Sequence, residues 1–300
     1  MTDRLAIRAH AKANLFLRVL ARETSGYHSI ETLFTLLELH DVLTVERIAS
    51  GIELTVEGID TGPAAQNLAY RAAEMVLSAT GKRFGVRMHL EKRIPVMAGL
   101  GGGSSDGAAA LAATNHLADN AVPRHELIHF AAKLGSDVPF FASGAAFALA
   151  WGRGERLFRL HPPTSAPALV VVPPFGVSTK EAYDMVGAQH TLDARRGPVV
   201  LEDTAFDAWG NIGRLGGNDF ESVVFAREAA LRDLFERMAE TRPLLVRLSG
   251  TGSAVIAIYK SVTDRDSAAE AVGSQLGVPI HTETRQASAA GPVALADAMP

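Results

Sequence analysis

Alternating apolar and polar residues predict several β-strands, mostly in the first half of the chain. Residues 15–19 and 86–90 show the two-residue period of a strand with one buried face. If the first alternation extends back, Lys12 and Asn14 share the opposite face, about 7 Å apart. Further strands are predicted at residues 43–48, 52–57, 145–151, 155–160, 169–172, 244–248 and 254–259. Helical periodicity is found around Leu68–Ala72–Met75–Ala79, around Leu127–Ala131–Leu134, and over residues 221–239. The pattern therefore predicts a mixture of α and β structure.

A glycine-rich loop follows the strand at 86–90, with four glycines in the five positions 99–103. Backbone N–H groups can close around an anion where no side chains stand in the way, and phosphate is the obvious anion. Ser104, Ser105 and Asp106 are predicted to cap an alanine-rich helix, whose free N–H groups and dipole point at the same anion. The spacing fits neither a P-loop nor a dinucleotide fingerprint. From local sequence alone, the alternative is that these glycines only allow helices to pack closely and bind no anion.

Composition limits the classes of function. The 300 residues, 47% of them hydrophobic, predict about two domains. The net charge of −4 and the lack of a basic block argue against a nucleic-acid partner. Disulfides and thiolate metal sites are excluded because the chain has no cysteine. We find no signal-peptide pattern and no apolar run of about 18 residues, so we expect a cytoplasmic protein without a membrane span.

A proline-rich stretch at residues 161–167 cannot continue regular strand pairing and indicates a domain boundary. We therefore predict an N-terminal domain at 1–163 and a C-terminal domain at 164–285. Alanine, glycine, serine and proline dominate residues 286–300 without periodicity, which predicts a disordered tail.

One motif favours a different class of protein. His125-Glu126-Leu127-Ile128-His129 fits the H-E-x-x-H pattern of zinc hydrolases, in which two imidazoles lie on one helix face beside a glutamate. No third histidine follows at the spacing of extended zincin motifs. The alternative is that this pair lies on the solvent face of an amphipathic helix.

The loop at 95–106 resembles the glycine-serine loop of the GHMP kinases, a family of small-molecule kinases. The resemblance extends to Lys12-Ala13-Asn14-Leu15, Gly26-Tyr27-His28, and residues 135–141, 218–221 and 248–253. It is greatest toward the branch that uses ATP to phosphorylate the 2-hydroxyl of 4-diphosphocytidyl-2-C-methyl-D-erythritol in the non-mevalonate route to isoprenoid precursors. It implies an α+β fold, with a ribosomal-S5-like N-terminal domain and a ferredoxin-like C-terminal domain.

The resemblance also implies roles for individual residues. Asp137 matches the catalytic carboxylate, which orients the acceptor hydroxyl and takes its proton, and Lys12 matches the active-site lysine. The residues that resemble the ATP site are Pro95, Val96, Met97, Ala98, Gly99, Leu100, Gly101, Gly102, Gly103, Ser104, Ser105 and Asn67. The residues that resemble the substrate site are Asn14, Tyr27, His28, Thr179 and Tyr183.

Several of these residues have simpler explanations from local sequence. Asp137 and Asn67 could each cap a helix, and Tyr27-His28 could be an ordinary loop. The turn at 249–253 could close over substrate or only join two strands. Residues 218–221 are predicted to serve as scaffold or in packing between domains rather than in catalysis.

The implied cofactors are ATP and Mg²⁺, with one serine hydroxyl of the loop reaching the metal ion. The implied partner is a cytidine-diphosphate-linked sugar alcohol, with the protein acting as a monomer or homodimer. Two alternatives keep the fold: a homoserine or mevalonate type of kinase, and a catalytically silent nucleotide-binding relative.

Overall fold

The computed structural model describes residues 3–24, 26–189, 201–287 and 293–294, and its strands form two sheets. The strands are β1 (Arg4–Arg22), β2 (His28–Ile48), β3 (Ile52–Glu57), β4 (Gly85–Glu91), β5 (Phe147–Gly152), β6 (Arg156–Arg159), β7 (Pro167–Val172), β8 (Leu245–Leu248), β9 (Val255–Ile258), β10 (Val278–Glu283) and β11 (Val293–Ala294). The helices are α1 (Leu68–Ala79), α2 (Gly102–Leu117), α3 (Arg124–Leu134), α4 (Val138–Ser143), α5 (Thr179–Gln189), α6 (Trp209–Ile212), α7 (Asp219–Arg227), α8 (Ala229–Glu240) and α9 (Val262–Val272).

The first sheet has the order β11-β1-β2-β4-β3, and β5 pairs with β2 and with β6. Its pairs are antiparallel except for β3 with β4. Val86, Met88 and Leu90 of β4 are fully buried, as their alternation predicts. They belong to a core shared with α1, α2 and α3. Helix α2 is buried on nearly all sides, and a Cβ atom on its Gly107 would lie 3.2 Å from Leu68 Cβ. Small residues thus let α1 and α2 pack closely.

The second sheet is antiparallel with the order β10-β7-β9-β8. Alternate residues of its strands face two different cores. Val170 and Ile256 pack toward Leu15 and Phe16 of the first sheet, whereas Val171 packs with the helices α7 and α8. The predicted α+β class is therefore confirmed, and the described strands form two sheets.

The start of α7 connects the two halves of the chain. The first residue of α7 bonds to the N-terminal sheet, and its N-cap residue, Asn218, bonds to the end of β8. Asp219 Oδ2 accepts from Val19 N (2.7 Å), and Asn218 Nδ2 donates to Leu248 O (2.8 Å). Asn218 also forms a capping box with Glu221. Residues 218–221 therefore have the packing role that the sequence predicts.

Two boundary predictions are wrong. The single helix predicted over 221–239 is two helices, α7 and α8, separated at Glu228 (φ −112°, ψ 83°). The apolar spacing continues through the break, from Val224 to Leu231, so periodicity alone cannot reveal it. The capping of α2 by Ser104–Asp106 is also wrong. The helix already begins at Gly102, because Gly101 at the N-cap adopts φ 71°, a left-handed conformation that suits glycine.

The predicted tail, residues 286–300, lies mostly outside the described residues. Within it, Val293–Ala294 forms the short strand β11, which pairs with Leu5 and Ala6 of β1. The predicted boundary at 161–167 falls between β6 of the first sheet and β7 of the second. Of the helices that the structure describes, none combines the length and apolarity needed to cross a bilayer.

Candidate active site

A cleft of about 740 Å³ is lined by residues from both halves of the chain. It brings together many of the residues that the sequence singles out. Those that line it are Lys12, Asn14, Tyr27, His28, Gly99, Gly101, Ser104, Asp137, Thr179 and Tyr183. The turn between β8 and β9 also reaches the cleft through Gly250 and Thr251. This turn therefore joins two strands, as predicted, and also forms part of the cleft wall.

Other predicted ATP-site residues do not line this cleft. They are Pro95, Val96, Met97, Ala98, Leu100, Gly102, Gly103, Ser105 and Asn67. Asn67 caps α1, because its Oδ1 accepts from Ala69 N (2.9 Å), and its Nδ2 donates to Thr61 Oγ1 (3.1 Å). Met97 and Val96 are exposed, 74% and 44%, at the outer side of the loop.

Lys12 and Asp137 form the polar centre of the cleft. Lys12 Nζ lies 3.4 Å from Asp137 Oδ2 and donates to Asn14 Oδ1 (2.6 Å). Asn14 Nδ2 in turn donates to Thr32 Oγ1 (2.8 Å), so a chain of bonds fixes the amide that holds the ammonium. The Lys12 side chain is 4% exposed and that of Asp137 is 30% exposed. The carboxylate is thus the member of the pair that solvent, or a ligand, can reach.

Local structure explains why both groups point into the cleft. Strand β1 has register shifts on either side of Lys12 and Asn14, and Lys12 N donates to Leu100 O (2.9 Å). A Cβ atom at Gly101 would lie 3.0 Å from Lys12 Cγ, so glycine there leaves room for the lysine stem. Asp137 occupies the N-cap position of α4, but its side chain makes no capping hydrogen bond. Its carboxylate is therefore not used as the helix cap that local sequence allowed.

The glycine loop is fastened to the second half of the chain at Gly99. Ser249 Oγ donates to Gly99 O (2.9 Å), and Ala254 N donates to Ala98 O (3.0 Å). Gly99 has φ 78°, and a Cβ atom on it would lie 1.9 Å from Ser249 O. Only glycine fits at this position.

The start of α2 leaves backbone donors beside the cleft. Its first intrahelical bond runs from Ser105 N to Gly101 O (2.9 Å). The preceding N–H groups, those of residues 102–104, have no partner within a helix of this geometry. Together with the positive end of the helix dipole, they can bind an anion.

A buried charged cluster lies behind the same helix start. Lys92 Nζ bonds to Asp41 Oδ2 and to Asp106 Oδ2 (2.8 Å), and each of the three side chains is at most 2% exposed. Asp41 Oδ1 accepts from Arg93 N (2.6 Å) and Ile94 N (2.8 Å), which lead into the glycine loop. The cluster therefore joins the entrance of the loop to the first turns of α2.

The electrostatics of this cluster are unusual. Burial, aided by the charge of Asp41, raises the pKa of the Asp106 carboxyl to about 7, although Lys92 opposes the shift. Burial lowers the pKa of the Lys92 ammonium, but the two carboxylates outweigh burial and the net pKa is raised. Among the described residues, Asp106 Oδ1 is buried without a hydrogen-bond partner.

Aromatic side chains form another part of the cleft wall. The rings of His28 and Tyr183 stack with centroids 4.9 Å apart, and Phe220 meets Tyr183 edge-on at 4.8 Å. Tyr27 is 57% exposed, and the Arg153 guanidinium lies 4.0 Å from its ring centroid. Burial, aided by the negative charge of Asp137, raises the pKa of Tyr183 to about 12. Its hydroxyl is therefore protonated at neutral pH and can donate a hydrogen bond.

Sequence reasoning missed several of these residues. Arg153, which also bonds to Glu23 Oε2 (2.6 Å), lies in a hairpin turn that carries no recognisable motif. No motif or periodic pattern in the sequence identifies Asp41 either. Lys92 could have been found, because it continues the alternation of Val86, Met88 and Leu90 on the buried face. A lysine at such a position requires a buried partner.

The H-E-x-x-H motif lies on α3 with both histidines and the glutamate exposed. Neither His125 nor His129 lines the cleft. Among the described residues, no third His, Cys, Asp or Glu ligand atom converges with this pair. The arrangement agrees with the alternative that the pair lies on the solvent face of the helix, and a zinc hydrolase is not favoured.

Comparisons with known proteins agree with this geometry. Residues 67–145 match the GHMP kinases N terminal domain, and residues 201–278 match the GHMP kinases C terminal family. A crystal structure of 4-(cytidine 5'-diphospho)-2C-methyl-D-erythritol kinase is 36% identical, with a TM-score of 0.79 over 93% of this chain and 98% of that one. A homoserine kinase from Cytophaga hutchinsonii shares the fold, with a TM-score of 0.71, over 98% of both chains at 18% identity.

Two sequence relatives, both named 4-diphosphocytidyl-2-C-methyl-D-erythritol kinase, identify the branch. The Pelotomaculum thermopropionicum protein is 39% identical over 83% of this chain and 87% of its own length. The Carboxydothermus hydrogenoformans protein is 32% identical over 97% of this chain and 99% of its own length. The chain is thus a small-molecule kinase of the GHMP type, and it belongs to the 4-diphosphocytidyl-2-C-methyl-D-erythritol kinase family.

Proposed function

We propose that this chain transfers the γ-phosphoryl group of ATP to the 2-hydroxyl of 4-diphosphocytidyl-2-C-methyl-D-erythritol, a step in the non-mevalonate route to isoprenoid precursors. One observation carries the proposal. A single cleft contains the Lys12–Asp137 pair, reaches the glycine loop at Gly101 and Ser104, and is also lined by aromatic side chains. The names of the relatives support the same reaction.

The transfer takes place at Asp137 and Lys12. The hydroxyl oxygen forms a bond to the γ-phosphorus while the bond from that phosphorus to the oxygen of ADP breaks. The Asp137 carboxylate orients the hydroxyl and takes its proton, because it is the exposed member of the pair. The Lys12 ammonium, held by Asn14, stabilises the negative charge that develops on the oxygen.

The triphosphate binds at the glycine loop. The N–H groups of residues 102–104 and the dipole of α2 face the phosphates, and Ser104 adds a hydroxyl. Mg²⁺ prefers oxygen ligands, and the cleft offers the Ser104 hydroxyl and the Asp137 carboxylate, so the residues present fit that ion. When bound, Mg²⁺ neutralises part of the charge of the triphosphate.

The cytosine base binds at the aromatic part of the cleft wall. One face of Tyr27 is covered by Arg153, which leaves its other face for stacking with a base. His28 reads the edge of the base, and Tyr183 completes the aromatic wall. Thr179, whose hydroxyl lies 3.2 Å from that of Thr251, adds a polar group at the rim.

The test is an ATP-consumption assay with 4-diphosphocytidyl-2-C-methyl-D-erythritol and with its analogue that lacks cytidine. We expect turnover of the first substrate and little of the second, because only the first can bind the aromatic residues. Equal turnover of both compounds would refute the substrate assignment. Turnover of homoserine or mevalonate in place of either would show that the chain is another type of GHMP kinase.

A further inference from the structure

Three potential metal ligands converge on β1 and β2, on strand residues that have no part in the proposed kinase reaction. His10, Glu38 and His40 each offer one ligand atom, and these atoms all lie within 4.8 Å of one another. His10 and His40 are cross-strand partners, with ring centroids 5.1 Å apart. Neither histidine lines the cleft.

The hydrogen bonds around these side chains determine which atoms are free to bind. His10 Nδ1 lies 3.0 Å from Leu37 O, and His40 Nδ1 lies 2.6 Å from Glu38 O. A carbonyl oxygen can only accept, so each Nδ1 carries the proton and each Nε2 keeps its lone pair. Metal-binding histidines in proteins usually have this arrangement.

The carboxylate has an outer partner as well. Arg285 Nη1 bonds to Glu38 Oε1, which leaves Oε2 as the available oxygen. Because ligating carboxylates are commonly held by such second hydrogen bonds, Arg285 orients the ligand. Its positive charge opposes a bound cation, so binding must come mainly from the two imidazoles.

We propose that His10, His40 and Glu38 form a binding site for a divalent transition-metal ion such as Zn²⁺. Two imidazole nitrogens and one carboxylate oxygen suit Zn²⁺ and its neighbours in the first transition row, and they do not suit Mg²⁺.

The position of the site predicts its effect. Strand β2 meets the C-terminal half of the chain beside the cluster. Leu39 N donates to Thr282 Oγ1 (2.9 Å), and Arg285 N donates to Leu36 O (3.0 Å). An ion held by His10, His40 and Glu38 would join β1 to β2 next to this junction, and it would stabilise the folded chain by binding only that state.

The experiment uses the full-length chain, treated with a chelator, dialysed, and titrated with Zn²⁺ in competition with a chromophoric chelator. The background is the double variant H125A/H129A, because an exposed histidine pair on α3 is the obvious rival site. We expect this background to keep one equivalent of Zn²⁺ at the affinity of the unaltered chain. Adding His40→Ala should weaken binding by more than about tenfold, since even an outer partner of a ligand contributes about 10- to 100-fold.

Glu38→Gln in the same background is the second variant, because it keeps the shape of the side chain if His40→Ala disturbs folding. It should also weaken Zn²⁺ binding and reduce the rise in Tm that Zn²⁺ causes, although both imidazoles remain. Loss of Zn²⁺ binding in H125A/H129A would overturn the proposal, as would unchanged affinity in both the His40→Ala and Glu38→Gln variants. None of these readouts depends on kinase activity, so the outcome is independent of the proposed function.

Discussion

Two lysines lie beside successive glycines of the loop, and each is paired with aspartate. A Cβ atom at Gly101 would lie 3.0 Å from Lys12 Cγ, and one at Gly102 would lie 3.1 Å from Lys92 Nζ. Lys92 is enclosed with two carboxylates that are at most 2% exposed, whereas the partner of Lys12, Asp137, is 30% exposed.

The two pairs differ in whether a carboxylate oxygen is accessible to a ligand in the cleft. Both oxygens of Asp41 bond to Lys92 or to backbone N–H groups, and the side chain is fully buried and does not line the cleft. Asp137 caps nothing and faces the cleft. The same two residue types thus hold the loop in place at one site and leave a carboxylate facing the cleft at the other. We expect substitutions at the two pairs to affect different measurements.

The largest expected effect is on catalysis at the open pair. Asp137→Asn keeps the size of the side chain but cannot accept the proton of the hydroxyl. We expect kcat to fall by about 10²- to 10⁴-fold, while the free energy of unfolding in urea changes by less than about 1 kcal/mol. The control is Asp184→Asn, which removes another carboxylate that lines the cleft and pairs with Lys180. A similar loss of kcat in the control would show that general charge, and not Asp137, is responsible.

The enclosed pair should respond in the opposite way. Lys92→Met removes the ammonium and leaves two buried carboxylates uncompensated, so we expect the free energy of unfolding to fall by about 3–5 kcal/mol. The matched control is Lys180→Met, which breaks an exposed pair with Asp184 and should cost less than about 0.5 kcal/mol. Equal losses in the two variants, measured by urea denaturation, would contradict the comparison.

The loop between the pairs allows a smaller test. Gly99→Ala places a Cβ atom 1.9 Å from Ser249 O at φ 78°, and we expect a loss of about 1–3 kcal/mol in the free energy of unfolding. At Gly103 a Cβ atom would meet nothing within 4 Å, and the residue lies in helix α2. Gly103→Ala should therefore be neutral or stabilise the chain by about 0.5–1 kcal/mol. Thermal or urea denaturation of both variants measures the difference. Equal losses of stability in the two would show that the backbone geometry at Gly99 is not the cause.

Much of the fold could be predicted from the sequence, because short-range periodicity reports directly on strands and helices. The alternation around Val86 and the glycine loop correctly predicted a strand, a loop and a helix. The break at Glu228 could not be predicted, since the apolar spacing passes through it without interruption.

The site was predictable only in part, for a similar reason. Lys12, Asn14 and Asp137 lie in motifs that resemble a known family, and the structure brings them together. Asp41 pairs with Lys92 across 51 positions of sequence, and no local pattern carries such long-range information. Arg153 is likewise placed by the β5–β6 hairpin rather than by a motif.

The mildest perturbation, a change of pH, tests the enclosed cluster without breaking it. The pKa of Asp106 is raised in the folded chain from 3.8 to about 7, chiefly by burial, so the folded state binds this proton more tightly than the unfolded state does. Its contribution to stability is therefore fully present at low pH and is lost as the pH rises through about 7.

Asp106→Asn removes that titration, because the amide is neutral at every pH. Because the unaltered chain loses the Asp106 contribution between pH 5 and pH 8 and the variant does not, we expect the stability of the variant relative to the unaltered chain to be greater at pH 8 than at pH 5. Urea denaturation at the two pH values measures the difference, and Asp184→Asn, at an exposed carboxylate, serves as the reference for surface charge. A relative stability of Asp106→Asn that does not change between pH 5 and pH 8 would mean that Lys92 keeps both of its carboxylates ionised, which would make the enclosed pair and the open pair electrostatically alike.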